Sequence, residues 1–406
     1  MRRRVVVTGL GLVTPIGSGR ETFWTNLLEG RSGISEVESF DTSAYSVHRG
    51  AEVKNFRPED FIKRQDPAGM GRASQLATAA AALALEDAGL DTRELDRDRV
   101  GVVVGTTVGE GGEMERFNIA LAAGQPETVR TSFLSRYTCH SIVAHVAREF
   151  GLAGITMMVP AACAAGNVAI ANAFDLVRAG RADVMLAGGA EMFSRDLYSG
   201  FARIQAIAPE TCQPFSRNRK GMMPGEGAAI LTLEPLDAAL ARGARIYAEV
   251  AGYGLSCDAY SMAVPHPEGE GAARAMEQAL AESKLTAEQI TYVSAHGTGT
   301  NANDRTETGA IKRVFKEAAY RTQVSSIKSM LGHTMGAASA VEAAACSLAV
   351  HCDRIPPTIN LDEPDPECDL DYVPNVAREC RVEVAMNNAY GFGGVNASLI
   401  LKKCEV

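Results

Sequence analysis

Residues 155–180, ITMMVPAACAAGNVAIANAFDLVRAG, constrain the fold more than any other stretch of this chain. The run 155–159 is short, apolar and contains Ile, Thr and Val, the pattern of a buried strand. The period then changes. Ile170, Ala173, Phe174 and Val177 recur at helical spacing, and Gly180 stands where a helix C-cap is expected. Between strand and helix lies a junction of small residues, 160–166, so the helix begins at or beside Cys163. The unpaired N–H groups and positive dipole end of a helix favour a thiolate over a thiol, and small neighbours leave the sulfur approachable. The junction therefore points to a nucleophilic cysteine, against the ordinary fate of a free cysteine as a small buried hydrophobe.

The same alternation continues along the chain. Strands are expected at 4–10, 100–105, 183–188, 228–233, 245–252, 290–295, 323–327, 382–387 and 397–401, and helices at 22–29, 74–88, 141–150, 272–283, about 307–318 and 337–350. This argues for an α/β architecture with a covered sheet. Element order is comparable on either side of residue 250, which predicts two duplicated halves, 1–250 and 251–406.

Composition removes several alternatives. In 406 residues, 46% are hydrophobic and 22% charged, which excludes a disordered chain, and the net charge of -9 argues against nucleic acid as the main partner. No apolar run approaches the roughly 20 residues that span a bilayer. The opening MRRRVVVTGLGLVTPIG has a basic start, but Thr8 and several glycines break its apolar stretch and no small-residue cleavage site follows. It reads as a first strand, and the chain as cytoplasmic. Nine cysteines, an odd number with no CxxC pair, are expected to be reduced thiols. Cys346, His351 and Cys352 lie near one another without a second ligand pair, so no metal site is expected. Gly9 and Gly11 begin a GxGxx pattern after a strand, but Thr14 takes the place of the third glycine, and no dinucleotide cofactor is expected.

Two histidines share the setting of Cys163. His296 sits in ITYVSAHGTGTNANDRTET, at the end of an apolar strand, and His333 in VSSIKSMLGHTMGAASA, after a strand and at the head of an Ala-rich helix. Open α/β sheets bring such strand ends together at a crevice on their carboxyl edge. A cysteine and two histidines in equivalent positions therefore predict one site.

These segments carry a resemblance. VVVTGLGLVTPIG, ACAAGN around Cys163, PGEGAAILTLEPLDAALARGARIYAEVAGYG, HGTGTNANDRTE, KSMLGHTMGAAS and NAYGFGGVNASL follow one another nearly end to end as in the β-ketoacyl-acyl-carrier-protein synthases of the type II elongating kind, which the chain resembles. The resemblance implies a thiolase-like fold of five layers, αβαβα, usually as a homodimer, and a decarboxylating condensing enzyme. Cys163 would take an acyl chain from a carrier-protein thioester, and His296 and His333 would donate to the enolate formed from a malonyl thioester. Cys163 and Phe392 amides would form a second hole for the acyl oxygen. Gly391 and Gly393 would shape the loop that carries Phe392, whose ring resembles a gate over the acyl pocket. Lys328 matches a residue that supports the histidines, with Asp304 and Glu307 as polar partners; Glu342, Asn387 and Asn388 resemble positions near a structural monovalent cation in some relatives.

Some residues depart from the family pattern. Ala162 replaces the usual threonine before the nucleophile, Lys220-Gly221 stands where Asp-Gly is common, and the loop 208–215 is short. These leave open the acyl chain and whether fatty acid, polyketide or polyene is made. An acidic enzyme needs a local basic rim for an acidic carrier protein, and Lys63, Arg64, Arg72, Arg217, Arg219 and Lys220 are the candidates. Two further readings remain: a thiolase acting on coenzyme A thioesters, which needs a second catalytic cysteine, and a subunit active only with a chain-length-factor-like partner.

Overall fold

The computed structural model describes residues 3–129 and 131–405. Its first half contains β1 (Val5–Thr14), α1 (Arg20–Leu28), α2 (Arg72–Ala88), β2 (Val100–Thr106), α3 (Gly111–Ala122), α4 (His140–Phe150), β3 (Thr156–Pro160), α5 (Ala165–Arg178), β4 (Val184–Glu191), α6 (Arg195–Arg203), β5 (Gly227–Pro235) and α7 (Leu236–Ala241). The second contains β6 (Ala248–Cys257), α8 (Glu270–Ser283), β7 (Tyr292–Ser294), α9 (Asn301–Phe315), β8 (Gln323–Ser325), α10 (Lys328–Leu331), α11 (Ala338–Cys352), β9 (Val384–Gly391) and β10 (Val395–Lys402).

Hydrogen bonds link the strands in the order β8-β7-β9-β10-β6-β1-β5-β4-β2-β3. The two ends of this path are alike. β2 pairs in parallel with β3 and β4, and β7 pairs in parallel with β8 and β9, while the strands between run antiparallel. The halves meet where β1 lies against β6, Val5 opposite Val250 and Val7 opposite Ala248.

β1 is buried along its whole length because both its faces are covered. On one face it meets α2, and this explains its glycines. An alanine Cβ at Gly9 would lie 2.2 Å from the Ala84 carbonyl oxygen, and at Gly11 1.8 Å from that of Ala80. The GxGxx pattern is thus a helix–strand packing contact inside a strand that continues to Thr14, and no phosphate-binding turn is formed.

On the other side, α5 and α11 form a middle layer. α5 packs on β2, β4 and β5, α11 on β5, β9 and β10, and the two helices touch each other. With α2 outside β1, β5 and β4, and α8 outside β6 and β10, the layers run αβαβα. α11 is buried on every side from Ala338 to Val350 and is correspondingly apolar, with Glu342 its one acidic side chain. Together with the turn before it, 18 residues, Met335–Cys352, are apolar enough for a membrane span, yet 89% of them are buried inside the fold. Residues such as Leu10, Phe174, Leu231 and Leu348 fill this core, each contributing roughly 1.5–3 kcal/mol by its burial.

Three elements differ from expectation. β3 is the edge strand, with Thr156, Met157 and Pro160 exposed, because an apolar run does not by itself distinguish an edge from an interior strand. α9 begins at Asn301, which places Asp304 and Glu307 in its first two turns, both buried. α10 intervenes between β8 and His333, so this histidine follows a helical turn rather than the strand itself.

Candidate active site

Two junctions of the same shape lead into the middle layer. Ala162 has φ of 47°, heads a 3₁₀ turn Ala162–Ala164 and is followed by α5; Met335 has φ of 47°, heads Met335–Ala337 and is followed by α11. A left-handed φ at a residue with a side chain is a strained conformation that surrounding structure must hold. In the first junction it turns Cys163 out of the strand direction at the head of the helix. Cys163 is buried, and the Phe392 N–H points at its sulfur.

His296 and His333 complete the cluster. The reactive atoms of Cys163, His296 and His333 all lie within 4.8 Å of one another, and the imidazole rings are perpendicular with centroids 5.3 Å apart. Each ring has one nitrogen committed. His333 Nδ1 accepts the Met335 N–H at 3.2 Å, and the Lys328 ammonium lies 3.5 Å from His296 Nδ1. Both Nδ1 atoms are therefore acceptors, and each proton sits on Nε2. Burial holds both imidazoles well below their usual range, with Lys328 adding to the effect at each and His333 adding to it at His296. Both are neutral donors at neutral pH.

Lys328 and Glu342 form an ion pair with both side chains 2% exposed. Burial pushes the Glu342 carboxyl up to about 7 while the Lys328 ammonium pulls it back. The ammonium also disfavours any cation at the Cys-His-His cluster. Glu307 and Asp304 act on the backbone rather than on the rings. Glu307 accepts the N–H groups of His296 and Gly297, each at 2.8 Å, and burial raises its carboxyl to about 7 against these donors. Asp304 accepts the N–H of Phe215 at 2.8 Å and of Gly299 at 3.2 Å, which ties the histidine loop to the 213–221 segment.

For Cys163 the balance differs from the sequence-based expectation. Burial pushes its thiol up to about 12, against the Lys328 charge and the Phe392 N–H, which pull it down. The helix terminus aims the sulfur, but its burial favours the thiol.

A cavity of about 240 Å³ opens over this cluster. Its wall is the loop of Gly391, Phe392, Gly393 and Gly394. An alanine Cβ at Gly391 would lie 3.0 Å from Ala162 Cβ and 3.2 Å from the Cys163 nitrogen, and Gly393 and Gly394 have φ of 83° and 78°. Only glycine lets this backbone come so close to the nucleophile. The Phe392 ring is 46% exposed and rests on Phe201 at 5.6 Å. The cavity also meets Thr298, Thr300 and Tyr390, which the motifs contained but sequence reasoning gave no role. For the two threonines the signal was their alternate positions after His296, and for Tyr390 it was its place beside the glycine loop in NAYGFGG.

Of the six basic candidates, Lys63, Arg64, Arg217 and Lys220 are exposed. Arg219 is a correction. Its side chain is buried, bonded to Asp365 Oδ2 at 2.7 Å and 3.6 Å from Asp304 Oδ2, so it braces the histidine loop and is not available to a carrier protein. A run of charges in sequence does not reveal which member points inward. Arg72 is likewise engaged, bonded to Glu226 at 2.8 Å and lying 5.0 Å over the Phe56 ring.

Family models match residues 2–239 as "Beta-ketoacyl synthase, N-terminal domain" and 247–362 as "Beta-ketoacyl synthase, C-terminal domain". The chain belongs to the β-ketoacyl synthase family. A 3-oxoacyl-[acyl-carrier-protein] synthase 2 of Synechocystis sp. is 42% identical over 411 residues, covering 100% of this chain and 99% of that protein. A chain of the solved ishigamide ketosynthase/chain length factor is 43% identical with a TM-score of 0.96, covering all of both chains. A chain from a type II polyketide ketosynthase solved with its acyl-carrier protein and bound to the hexaketide is 33% identical with a TM-score of 0.93, covering all of both chains. The chain is a type II elongating ketosynthase with the thiolase-like fold, an acyltransferase of the condensing class.

Proposed function

We propose that Cys163 carries the growing acyl chain and that His296 and His333 jointly stabilise the enolate that extends it by two carbons. The observation that carries this assignment is the convergence of the three groups within 4.8 Å, with both imidazoles neutral and protonated toward the pocket.

In the first step the Cys163 sulfur attacks the carbonyl carbon of an acyl-carrier-protein thioester. The N–H groups of Cys163 and Phe392 take the charge on the acyl oxygen, the old C–S bond breaks, and the carrier thiol leaves with the proton that Cys163 gives up. One thioester replaces another, so the activation of the acyl group is kept. In the second step a malonyl-carrier-protein thioester places its carbonyl oxygen between the Nε2–H groups of His296 and His333. The bond to the carboxylate breaks, CO₂ leaves, and the electron pair becomes the enolate. Its carbon attacks the Cys163 thioester, the amide hole again takes the oxygen, and the sulfur is expelled. A thiol pushed up to about 12 takes a proton from solvent, so each cycle releases one CO₂ and consumes one proton.

Lys328 keeps His296 in the donating tautomer, and Asp304 and Glu307 hold its loop. Phe392 gates the mouth on the glycines that flank it. A monovalent cation beside Glu342 would use Glu342 Oε2 and Asn387 Oδ1, which are buried without partners among the described residues, and would steady the Lys328 pair; Asn388 is spent on Met276 and Ser398.

The carrier protein docks on Lys63, Arg64, Arg217 and Lys220 in this reading, consistent with the relative solved with its acyl-carrier protein. Edge strand β3, with Met157 outward, supports a second subunit, either an identical copy or a chain-length-factor-like one as in the ishigamide and Xenorhabdus doucetiae complexes. The chain divides into two halves near residue 250, between α7 and β6, and it works in the cytoplasm. A thiolase reaction is disfavoured because Cys163 is the one cysteine among the residues lining the cavity.

Intact mass of the protein mixed with a panel of acyl-carrier-protein thioesters tests the assignment. A gain of one acyl group, absent in Cys163→Ala, is expected. No adduct with any chain, alone or with a partner subunit added, would remove Cys163 from this role.

A further inference from the structure

Glu191 ends β4 and is completely buried. Its carboxylate meets four neutral donors. Oε1 takes the Thr106 hydroxyl at 3.1 Å and the Val108 N–H at 3.2 Å, and Oε2 takes the Thr107 N–H at 2.5 Å and the Gly336 N–H at 3.0 Å. The Thr106 hydroxyl itself accepts the Gly109 N–H at 3.0 Å, so its own proton is directed to Glu191. Burial raises this carboxyl, and the two donors on each oxygen oppose that by favouring the form that accepts at both oxygens.

Gly336 links this cluster to the chemistry. The residue before it is Met335, whose N–H donates to His333 Nδ1 and whose φ is left-handed. Two consecutive N–H groups of one turn are thus fixed in two directions, the first on the imidazole and the second on Glu191. The turn has no slack on its far side: an alanine Cβ at Gly336 would fall 2.5 Å from Thr106 Cα, at the end of β2, and β2 is the neighbour of β4.

We propose that Glu191 is a positioning residue for the condensation. It holds the turn at Met335 and Gly336 so that the Met335 N–H occupies His333 Nδ1 and the imidazole proton stays on Nε2, facing the substrate oxygen. The proposal rests on the role given to His333 above. Without the acceptor at Oε2 the turn is released, Nδ1 is free to take the proton, and Nε2 then presents a lone pair where the enolate needs a donor.

The test compares the full chain with Glu191→Gln, His333→Gln and the double variant, measuring malonyl-carrier-protein decarboxylation and, separately, acylation of Cys163 by intact mass. The Glu191→Gln amide cannot accept at both oxygens. Its decarboxylation is expected to fall about 10- to 100-fold, short of the roughly 10²- to 10³-fold that follows loss of a whole donor. Acylation, which uses the amide hole, does not fall by more than about threefold, and removing the Glu191 charge, which helps hold the Cys163 thiol up, acts in the opposite direction to a loss. In His333→Gln the side-chain amide donates without a tautomer to set, so adding Glu191→Gln costs less than about threefold more. Equal losses in both backgrounds, or equal losses in both half-reactions, would make Glu191 a packing residue and overturn the proposal. Should Glu191→Gln not fold, Glu191→Asp, which keeps the charge and withdraws the oxygens by one carbon, is judged by the same ratios. His333→Ala is measured alongside, and undiminished decarboxylation in it is a different outcome, which removes the role of His333 on which the inference rests.

Discussion

The close approach of Gly391 to the nucleophile makes Gly391→Ala an informative perturbation. Gly391 does not adopt a left-handed φ, so alanine fits its backbone, and the whole effect comes from one added methyl. That methyl would meet Ala162 Cβ at 3.0 Å, the Cys163 nitrogen at 3.2 Å and the Ala161 carbonyl oxygen at 3.5 Å, so the first two neighbours must give by a few tenths of an ångström. Ala162 is already held at φ of 47° and has little room to move. The loop yields instead, and it draws the Phe392 N–H away from the acyl oxygen. Overpacking of this size costs about 1–3 kcal/mol. If all of it falls on the geometry of the amide hole, Cys163 acylation slows roughly 5- to 150-fold, at 1.36 kcal/mol per decade. Rapid-quench intact mass with an acyl-carrier protein measures this, and CO₂ release from malonyl-carrier protein on the same preparation measures the histidine hole. Acylation should drop while decarboxylation stays within about threefold, since its donors are His296 and His333. Unchanged acylation, or an equal fall in both, would refute the division of labour between the two holes.

Other outcomes follow from the same geometry. Because burial pushes the Cys163 thiol up to about 12, the thiolate is scarce at neutral pH and grows with pH; alkylation by iodoacetamide should rise steadily from pH 6 to 10, and a plateau below pH 8 would contradict this. Reversing exposed Lys63 and Arg64 to Glu should weaken turnover of carrier-protein substrates and leave hydrolysis of small thioesters unchanged, with equal losses on both counting against docking there. Arg219→Ala strips a buried ion pair from Asp304 and Asp365, and chemical denaturation should register a loss of about 3–5 kcal/mol; a loss under about 1 kcal/mol would place Arg219 back among the surface charges.

The framework and the central triad were legible in the sequence because they depend on local signals. Periodicity located α2, α5 and α11, and positions after strands pointed to Cys163 and His296. What periodicity could not supply was direction. Nothing in the run RNRK distinguishes Arg219, turned inward, from exposed Arg217 and Lys220. Gly9 and Gly11 looked like turn residues because the helix they press against is more than sixty residues away in sequence. The protonation of Cys163 escaped for a related reason: a helix terminus is visible in sequence, whereas the burial that outweighs it exists only once the chain is folded around the sulfur. Glu191 gave no signal, since each of its four partners becomes a neighbour only in the folded sheet.

The paired junctions at Ala162 and Met335 have a consequence for how such an enzyme can change. Both feed helices of the middle layer, and these helices are clamped together: a Cβ at Gly166 would lie 2.5 Å from the Ala340 nitrogen, and the Asn167 N–H donates to Ser339 Oγ at 2.9 Å. The nucleophile and the turn that aims His333 are thus mounted on one rigid chassis. The gate, Phe392 on its loop and Phe201 on α6, and the basic rim lie outside it. Substrate length, mouth and partner can then diverge by substitutions at the periphery without retuning the distances between the reacting atoms, so the same machinery can be issued with many different entrances.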